Sequence, residues 1–170
     1  MDLNEYIRDI PDFPKPGIIF KDITPLLGQP EAFKASTDAM AAPYHDVELD
    51  AVVGIESRGF IFGAAIAQSV GCGFVPIRKP GKLPADTISV SYELEYGEDT
   101  VEIHRDAVGE GDRVLLVDDV LATGGTMAAA CELIRETGAS IAGLVFLVEL
   151  SFLDGRARLD GEDIHSVLTY

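Results

Sequence analysis

Two adjacent aspartates, Asp118 and Asp119, end an apolar run at 114–117, and a Thr-Gly-Gly-Thr segment follows them. Glycines allow successive backbone N–H groups to point at one anion, and the start of a following helix adds a partial positive charge. We therefore expect this turn to bind a phosphate group, with hydroxyl donors from Thr123 and Thr126. The predicted phosphate turn consists of Ala122, Thr123, Gly124, Gly125 and Thr126.

The paired aspartates cannot bind the same phosphate, because like charges repel. Each carboxylate can accept hydrogen bonds from vicinal hydroxyls, directly or through Mg²⁺. A 5-phosphorylated ribose carries a phosphate at one end and a 2,3-diol at the other, which suits this order of residues. The alternative is a tight strand-to-helix turn in which the two aspartates are merely solvated.

Other phosphate-binding motifs are missing from the chain. It contains no GxxxxGK[ST] segment and no GxGxxG segment after a predicted strand. These absences disfavour a P-loop nucleotidase and a Rossmann dinucleotide site. The string VLLVDD is similar to the first strand of response-regulator receiver domains, but only the last third of the chain follows it, which is too little for that fold.

The charge of the chain is strongly uneven. Its 29 acidic and 13 basic residues give a formal net charge of −16, yet residues 57–85 contain no Asp or Glu. Four cations fall in this window, at Arg58, Arg78, Lys79 and Lys82. The acidic balance disfavours nucleic-acid and membrane partners, whereas the local cations predict an anion-binding loop.

The chain has 170 residues, a length that predicts one domain, and its composition predicts a soluble, cytoplasmic protein. We expect no membrane-spanning segment and no signal peptide, because no apolar run is long enough and the N-terminus lacks a basic start. Cys72 and Cys131 lack metal-ligand spacing and are predicted to be buried free thiols. The three histidines also lack ligand spacing.

Hydrophobic patterning predicts an α/β fold with a mostly parallel central sheet. A β-hairpin is expected after a flexible loop at 78–87, because apolar residues alternate from Ile88 to Tyr96 and again at Val101 and Ile103. Short helices are expected before Pro11 and at 31–42, and a further helix at 126–137. Another amphipathic helix is expected up to Gly71, with Phe60, Gly63, Ala64 and Ala67 recurring on its apolar face. Strands are expected at 51–55, 73–77, 114–117, 141–148 and 164–168, and the first two are expected to be buried.

Residues 114–126 resemble the phosphoribosyl-diphosphate (PRPP) motif of the type I phosphoribosyltransferase family. Four further segments narrow the resemblance to its adenine-specific branch, and together they cover the chain from about Phe13 to Glu149. They are DFPKPG with IIFKDITPLL at 12–27, ESRGF at 56–60, RKPGKLP at 78–84 and LEYG at 94–97. The resemblance implies transfer of phosphoribosyl from PRPP to adenine, giving AMP and diphosphate with Mg²⁺, in purine salvage.

The resemblance also implies a role for each matching residue. Asp118 and Asp119 would hold the ribose hydroxyls and 122–126 the 5-phosphate, with no direct protein ligand to Mg²⁺, which PRPP itself would hold. Glu95 would be the acid/base on the purine nitrogens and Tyr96 would close over the site. The pyrophosphate would be bound by Ser57, Arg58, Arg78, Lys79 and Lys82, and adenine by Ile19, Phe20, Lys21 and Val120.

Family members also imply a small N-terminal hood of about residues 1–35 over the base site and a homodimer, in which Arg78 could serve its own or the neighbouring site. Two alternatives stay open. The motif could sense PRPP without catalysis, although a regulator would need a DNA-binding extension and a basic face. The base could be hypoxanthine or guanine, but those need a donor for the 6-oxo group. No lysine follows Lys82, and Glu149 stands in the expected region.

Overall fold

The computed structural model describes residues 1–94 and 96–170. Within it the chain forms two compact units, Met1–Ala39 and Met40–Tyr170, and each is described by itself.

The first unit contains an antiparallel pair of strands, β1 (Arg8–Pro11) and β2 (Ile19–Asp22), followed by α1 (Thr24–Gly28) and the start of α2 (Pro30–Ala41). The helix predicted at 31–42 is confirmed in α2. The short helix predicted before Pro11 forms as a four-residue 3-10 helix at Leu3–Tyr6, but the chain then becomes β1, which was not predicted. β1 exists because its backbone pairs with β2, a long-range contact that local pattern does not reveal.

The second unit is built on a five-stranded sheet with all neighbours parallel and the order β4-β3-β7-β8-β9. The predicted parallel α/β architecture is confirmed. Its elements are β3 (Ala51–Ile55), α3 (Arg58–Val70), β4 (Gly73–Ile77), β5 (Thr87–Glu93), β6 (Glu98–His104), β7 (Arg113–Leu121), α4 (Gly125–Thr137), β8 (Ser140–Glu149) and β9 (Ile164–Thr169).

The predicted positions of the strands hold, but the predicted burial of β4 is wrong. β4 lies at the edge of the sheet and only Ile77 of its five residues is fully buried. On α3 the buried face consists of Phe62, Gly63, Ile66 and Ala67, whereas Ala64, which the pattern placed inward, is exposed. α3 ends at Gly71, whose positive φ of 80° closes the helix as predicted.

β7 is longer than the apolar run that predicted it. It continues through both aspartates to Leu121, because β8 pairs with it as far as Leu121↔Glu149, whereas β3 pairs with it only as far as Val117. The aspartates therefore stand on a strand that extends beyond its neighbour β3. This position places their side chains at the carboxyl edge of a parallel sheet, where α/β proteins bind ligands.

The hairpin β5–β6 forms as predicted, with Val90 opposite Val101. One cluster of buried side chains joins it to the sheet and to α4, and this cluster includes Val101, Leu116, Ile134 and Phe146. Burial of such apolar surface is the main stabilising contribution to the fold. The hairpin and α4 are thus held to the sheet that carries the aspartates.

Both cysteines are free, and Cys131 is buried as predicted, where burial raises the pKa of its thiol to about 12. The prediction that Cys72 is buried is wrong, because it is partly exposed at the edge beside β4. Among the helices of the described residues, none is long and apolar enough to cross a membrane.

Candidate active site

The two aspartates on β7 form a tightly packed pair next to a cation. Asp118 Oδ1 accepts a hydrogen bond of 2.9 Å from the backbone N–H of Asp119. Arg58, at the start of α3, places Nε 2.8 Å from Asp119 Oδ2. This contact is an ion pair rather than a well-directed hydrogen bond, so Asp119 Oδ2, which is buried, keeps an unused acceptor among the described residues. The pair can therefore receive hydroxyl donors.

Both carboxyl groups resist ionisation. Burial, and next the charge of Asp119, raise the pKa of Asp118 well above its ordinary value. Burial also raises the pKa of Asp119, although Arg58 and hydrogen bonds oppose the rise. Keeping two carboxylates side by side in a buried place costs folding free energy, and groups held at such a cost are frequently functional.

The turn after β7 has the geometry expected of an anion cradle. Gly124 has a positive φ of 82° and precedes the first residue of α4. The first backbone N–H groups of an α-helix have no intrahelical partner, so those at the start of α4 are available to a bound phosphate. Thr123 is exposed and Thr126 is half-buried beside a cavity that both residues line.

A second segment supports this turn from behind. A Cβ at Gly155 would overlap the carbonyl oxygen of Ala122, and a Cβ at Gly124 would overlap the carbonyl oxygen of Gly155. The two backbones therefore touch. A 3-10 turn at Gly155–Arg158 is fixed there by Arg156, which donates hydrogen bonds of 2.7 and 2.8 Å to Glu149.

The predicted cationic loop is organised by a carboxylate that the sequence did not single out. Glu56 accepts a hydrogen bond of 2.9 Å from the backbone N–H of Lys79, lies 3.3 Å from Arg78 Nε, and pairs with Lys82 Nζ. Burial opposes ionisation of Glu56, but these hydrogen bonds hold its pKa below the ordinary value. Three of the five predicted pyrophosphate ligands are thus gathered around one side chain. Ser57 follows Glu56 and immediately precedes α3.

Lys79 also connects this loop to the phosphate turn. Its Nζ pairs with Asp99 and lies 3.3 Å from Tyr92 Oη, and Tyr92 Oη lies 3.1 Å from Thr126 Oγ1. Sequence reasoning assigned no role to Tyr92, Asp99 or Glu56. Tyr92 and Asp99 lie on the two strands of the predicted hairpin, and Glu56 is the first residue of the motif at 56–60. Neither position identifies the contacts that these side chains make.

The predicted base-binding residues are divided between the two units. Val120, on β7 beyond Asp119, is half-buried. In the first unit Phe20 is half-buried on β2 and packs edge-to-face on Phe13, with ring centroids 5.2 Å apart. Ile19 is exposed, and Lys21 Nζ lies 2.7 Å from Asp9 Oδ1. Within the first unit, these residues present an aromatic ring and adjacent strand backbone.

The predicted acid/base, Glu95, lies outside the described residues. Tyr96 follows it at the tip of the hairpin and is 81% exposed. The adjacent turn is closed by a hydrogen bond of 2.9 Å from the N–H of Leu94 to the carbonyl of Gly97.

The described residues contain no group of three or more His, Cys, Asp or Glu side chains that could hold a metal ion.

Comparison with known proteins agrees with the geometry. The family model described as "Phosphoribosyl transferase domain" matches residues 24–167. The chain belongs to this family. Its fold, with two acids on β7 and a glycine turn between β7 and α4, is that of type I phosphoribosyltransferases, as the resemblance implied.

Curated and solved relatives make the resemblance more specific. The chain is 58% identical to the adenine phosphoribosyltransferase of Halothermothrix orenii over 99% of both chains. The structure of the Thermoanaerobacter pseudethanolicus adenine phosphoribosyltransferase matches with a TM-score of 0.95 and 53% identity, covering 99% of this chain and 100% of that one. The Saccharomyces cerevisiae enzyme, solved with an iminoaltritol bisphosphate and adenine, matches with a TM-score of 0.92 and 40% identity over 98% and 96% of the two chains.

Proposed function

We propose that this chain is an adenine phosphoribosyltransferase of purine salvage, which converts adenine and PRPP into AMP and diphosphate. The observation that carries the proposal is the pair of adjacent carboxylates on β7, with Asp119 buried and Asp118 half-buried, directly before the phosphate turn. Relatives more than half identical over nearly the full chain bear this name. In the reaction the bond from ribose C1 to pyrophosphate breaks and a bond from C1 to a purine nitrogen forms.

The ribose 5-phosphate end would be held by β7 and α4. Residues 122–126 would bind the 5-phosphate through backbone N–H groups and threonine hydroxyls. Asp118 and Asp119 would accept hydrogen bonds from the 2- and 3-hydroxyls and stabilise the positive charge that develops on an oxocarbenium-like ribose. Hydroxyl donors and the positive charge on the ribose lower the free-energy cost of ionising the two carboxyl groups. Because that positive charge is greatest in the transition state, the two carboxylates stabilise the transition state more than the bound substrate.

The pyrophosphate end would be held by the cations of the acid-free window. Arg58 is paired with Asp119 in the structure, and Arg78 and Lys82 with Glu56. We propose that Arg58 turns to the pyrophosphate and thereby frees Asp119 Oδ2 for the ribose, while Ser57 contributes backbone N–H groups. Lys79 and the cations around Glu56 would then offset the charge of the leaving group.

The residues of this site suit Mg²⁺ that arrives with PRPP. When bound, Mg²⁺ would neutralise part of the charge on the pyrophosphate oxygens. PRPP itself would supply the direct ligands, and the described residues contain no group of three or more acidic, histidine or cysteine side chains that could hold the ion alone.

Adenine would be recognised by backbone groups rather than by a charged side chain. We propose that Phe20 stacks on the purine, that Ile19 and Lys21 offer backbone donors and acceptors to its edge, and that Val120 packs on the opposite face. A backbone carbonyl can accept a hydrogen bond from the exocyclic amine of adenine.

Specificity for a 6-amino purine is supported at the end of β8. Enzymes for 6-oxo purines need a donor there, often a lysine, but this chain has Glu149. Arg156 holds the pKa of Glu149 below its ordinary value and occupies both of its oxygens. A paired carboxylate cannot donate a hydrogen bond to a 6-oxo group.

Glu95 would act as the acid/base that exchanges a proton with the imidazole nitrogens of the purine, and Tyr96 would close over the site. We further propose a cytoplasmic homodimer without nucleic-acid or membrane partners. We treat residues 1–170 as one catalytic domain in which about 1–35 form the hood.

The decisive experiment mixes the protein with PRPP, Mg²⁺ and one base at a time, and follows nucleotide and diphosphate by chromatography. Adenine should give AMP and diphosphate in equal amounts. Turnover of hypoxanthine or guanine with adenine inert would reject the proposed base. Binding of PRPP with no turnover of any base would favour the sensor alternative.

A further inference from the structure

The phosphate turn has a cationic neighbour that its own segment lacks. Arg158 lies 32 residues after Thr126, at the end of the 3-10 turn Gly155–Arg158, and the sequence gives no sign that the two belong together. Its Nη1 would be 3.2 Å from a Cβ placed on Gly125, the first residue of α4. The guanidinium therefore covers the space that a side chain at Gly125 would occupy.

The backbone on either side of Arg158 is firmly held against the turn. Gly155 touches Ala122 and Gly124 through its backbone, Arg156 is fixed by two hydrogen bonds to Glu149, and Leu159 is buried. A long side chain attached between such anchors has a limited range of positions. Arg158 thus stays within reach of the turn without a contact of its own to hold it.

Among the described residues, Arg158 has no acidic partner, although the protein carries an excess of acids. Its side chain makes no ion pair and no hydrogen bond with the described residues, although Glu132 lines the same cavity. In contrast, Arg135 and Arg156 beside it are each paired with a glutamate. The exposed guanidinium of Arg158 does not pair with Glu132, so its N–H donors remain available for another anion.

We infer that Arg158 binds the 5-phosphate of PRPP and of AMP. The cavity that it lines also contains Thr123, Gly125 and Thr126, so an anion at the turn meets backbone N–H groups from one side and the guanidinium from the other. Charge-assisted hydrogen bonds from arginine to phosphate are among the strongest available to a protein. The inference rests on the proposed placement of the 5-phosphate at 122–126.

The test compares Arg158→Gln with the native enzyme. The variant should raise the KM for PRPP and the inhibition constant of AMP about tenfold, as expected for loss of one charge-assisted hydrogen bond. The KM for adenine and the inhibition constant of diphosphate should stay within twofold, because neither ligand carries a 5-phosphate. Arg158→Lys should recover part of the loss, since it keeps the charge.

Arg135→Gln is the matched control, because it removes an equal charge from the same face at a residue paired with Glu162. Unchanged PRPP and AMP constants in Arg158→Gln would overturn the inference, as would equal losses for AMP, adenine and diphosphate, which would indicate a general structural effect. If Arg158→Gln fails to fold, the inference is tested with Arg158→Lys, which keeps the charge. A KM for PRPP and an inhibition constant of AMP more than tenfold above native in Arg158→Lys would contradict a role of charge. A native enzyme that neither binds AMP nor uses PRPP would instead reject the proposed function.

Discussion

Tyr92 Oη lies 3.1 Å from Thr126 Oγ1, and this contact joins the hairpin β5–β6 to the phosphate turn. The same hydroxyl lies 3.1 Å from Asp99 Oδ2 and 3.3 Å from Lys79 Nζ. Tyr92 is therefore shared between the turn proposed for the 5-phosphate and a lysine proposed for the pyrophosphate. One side chain orients groups for the two charged ends of a single substrate.

Tyr92→Phe should raise the KM for PRPP about threefold to tenfold, with a smaller change in kcat. The substitution removes hydrogen bonds worth about 0.5–1.5 kcal/mol each but keeps the ring that packs against Gly125. Steady-state kinetics with PRPP varied would measure the effect. Tyr44→Phe is the control, because it also removes a tyrosine hydroxyl from the second unit, at a residue that packs against Gly143 rather than against the phosphate turn. If Tyr92→Phe has native constants, its hydroxyl does not position the turn.

Asp118→Asn should increase the free energy of unfolding at neutral pH by about 1–2 kcal/mol while reducing activity, because it removes a half-buried carboxylate that lies next to the buried carboxylate of Asp119. The pH dependence follows from the raised pKa of Asp118 in the folded protein. Folding takes up a proton, so native stability is greatest below the unfolded pKa of about 4 and falls as pH rises through the folded value. The advantage of the variant should therefore grow with pH.

Thermal unfolding of both proteins from pH 4 to pH 8 would test this. Asp106→Asn serves as control, because Asp106 is exposed on the same unit and should give a constant difference. A stability advantage for Asp118→Asn that shrinks as pH rises would contradict the assignment.

The sequence predicted the elements best where local pattern and tertiary packing agree. The strand Ala51–Ile55 is an uninterrupted apolar run, and the structure buries all five residues between β4 and β7. The segment Arg8–Pro11 failed because its strand character comes from pairing with β2. β7 was predicted too short because aspartates disfavour strands, whereas pairing with β8 carries the strand past them.

The residues of the candidate site also fall into two groups, those that the sequence predicted and those that it did not. Asp118, Asp119 and the phosphate turn could be predicted because their chemistry is local to one segment. Arg158 and Tyr92 could not, because each comes from a segment distant from the phosphate turn and only folding brings them close to it. Glu56 stands inside a quoted motif, but its contacts with the loop cations are made only in the folded chain. Pairing of Arg58 with Asp119 was also beyond the sequence, which assigned them to different ends of the substrate.

Glu95→Gln should lower kcat about 100-fold or more and leave the KM for PRPP within threefold, as expected when a general acid/base is neutralised without a change in size. Glu98→Gln, on an exposed residue of β6, controls for the change in hairpin charge. If Glu95→Gln instead raises the KM for PRPP with native kcat, Glu95 positions the substrate and transfers no proton.

Gly155→Ala should weaken the use of PRPP by displacing the segment behind the phosphate turn. The new methyl group would overlap the carbonyl oxygen of Ala122 and contact Leu121, and neither strand end can move without disturbing the pairing of β7 with β8. We expect a loss of about 2–3 kcal/mol in the free energy of unfolding and at least a tenfold rise in the KM for PRPP. Gly109→Ala is the control, since the nearest atom to its Cβ would be 3.9 Å away. Thermal unfolding and steady-state kinetics of the two variants would separate the effects. Native constants in Gly155→Ala would show that the turn does not depend on this backbone contact.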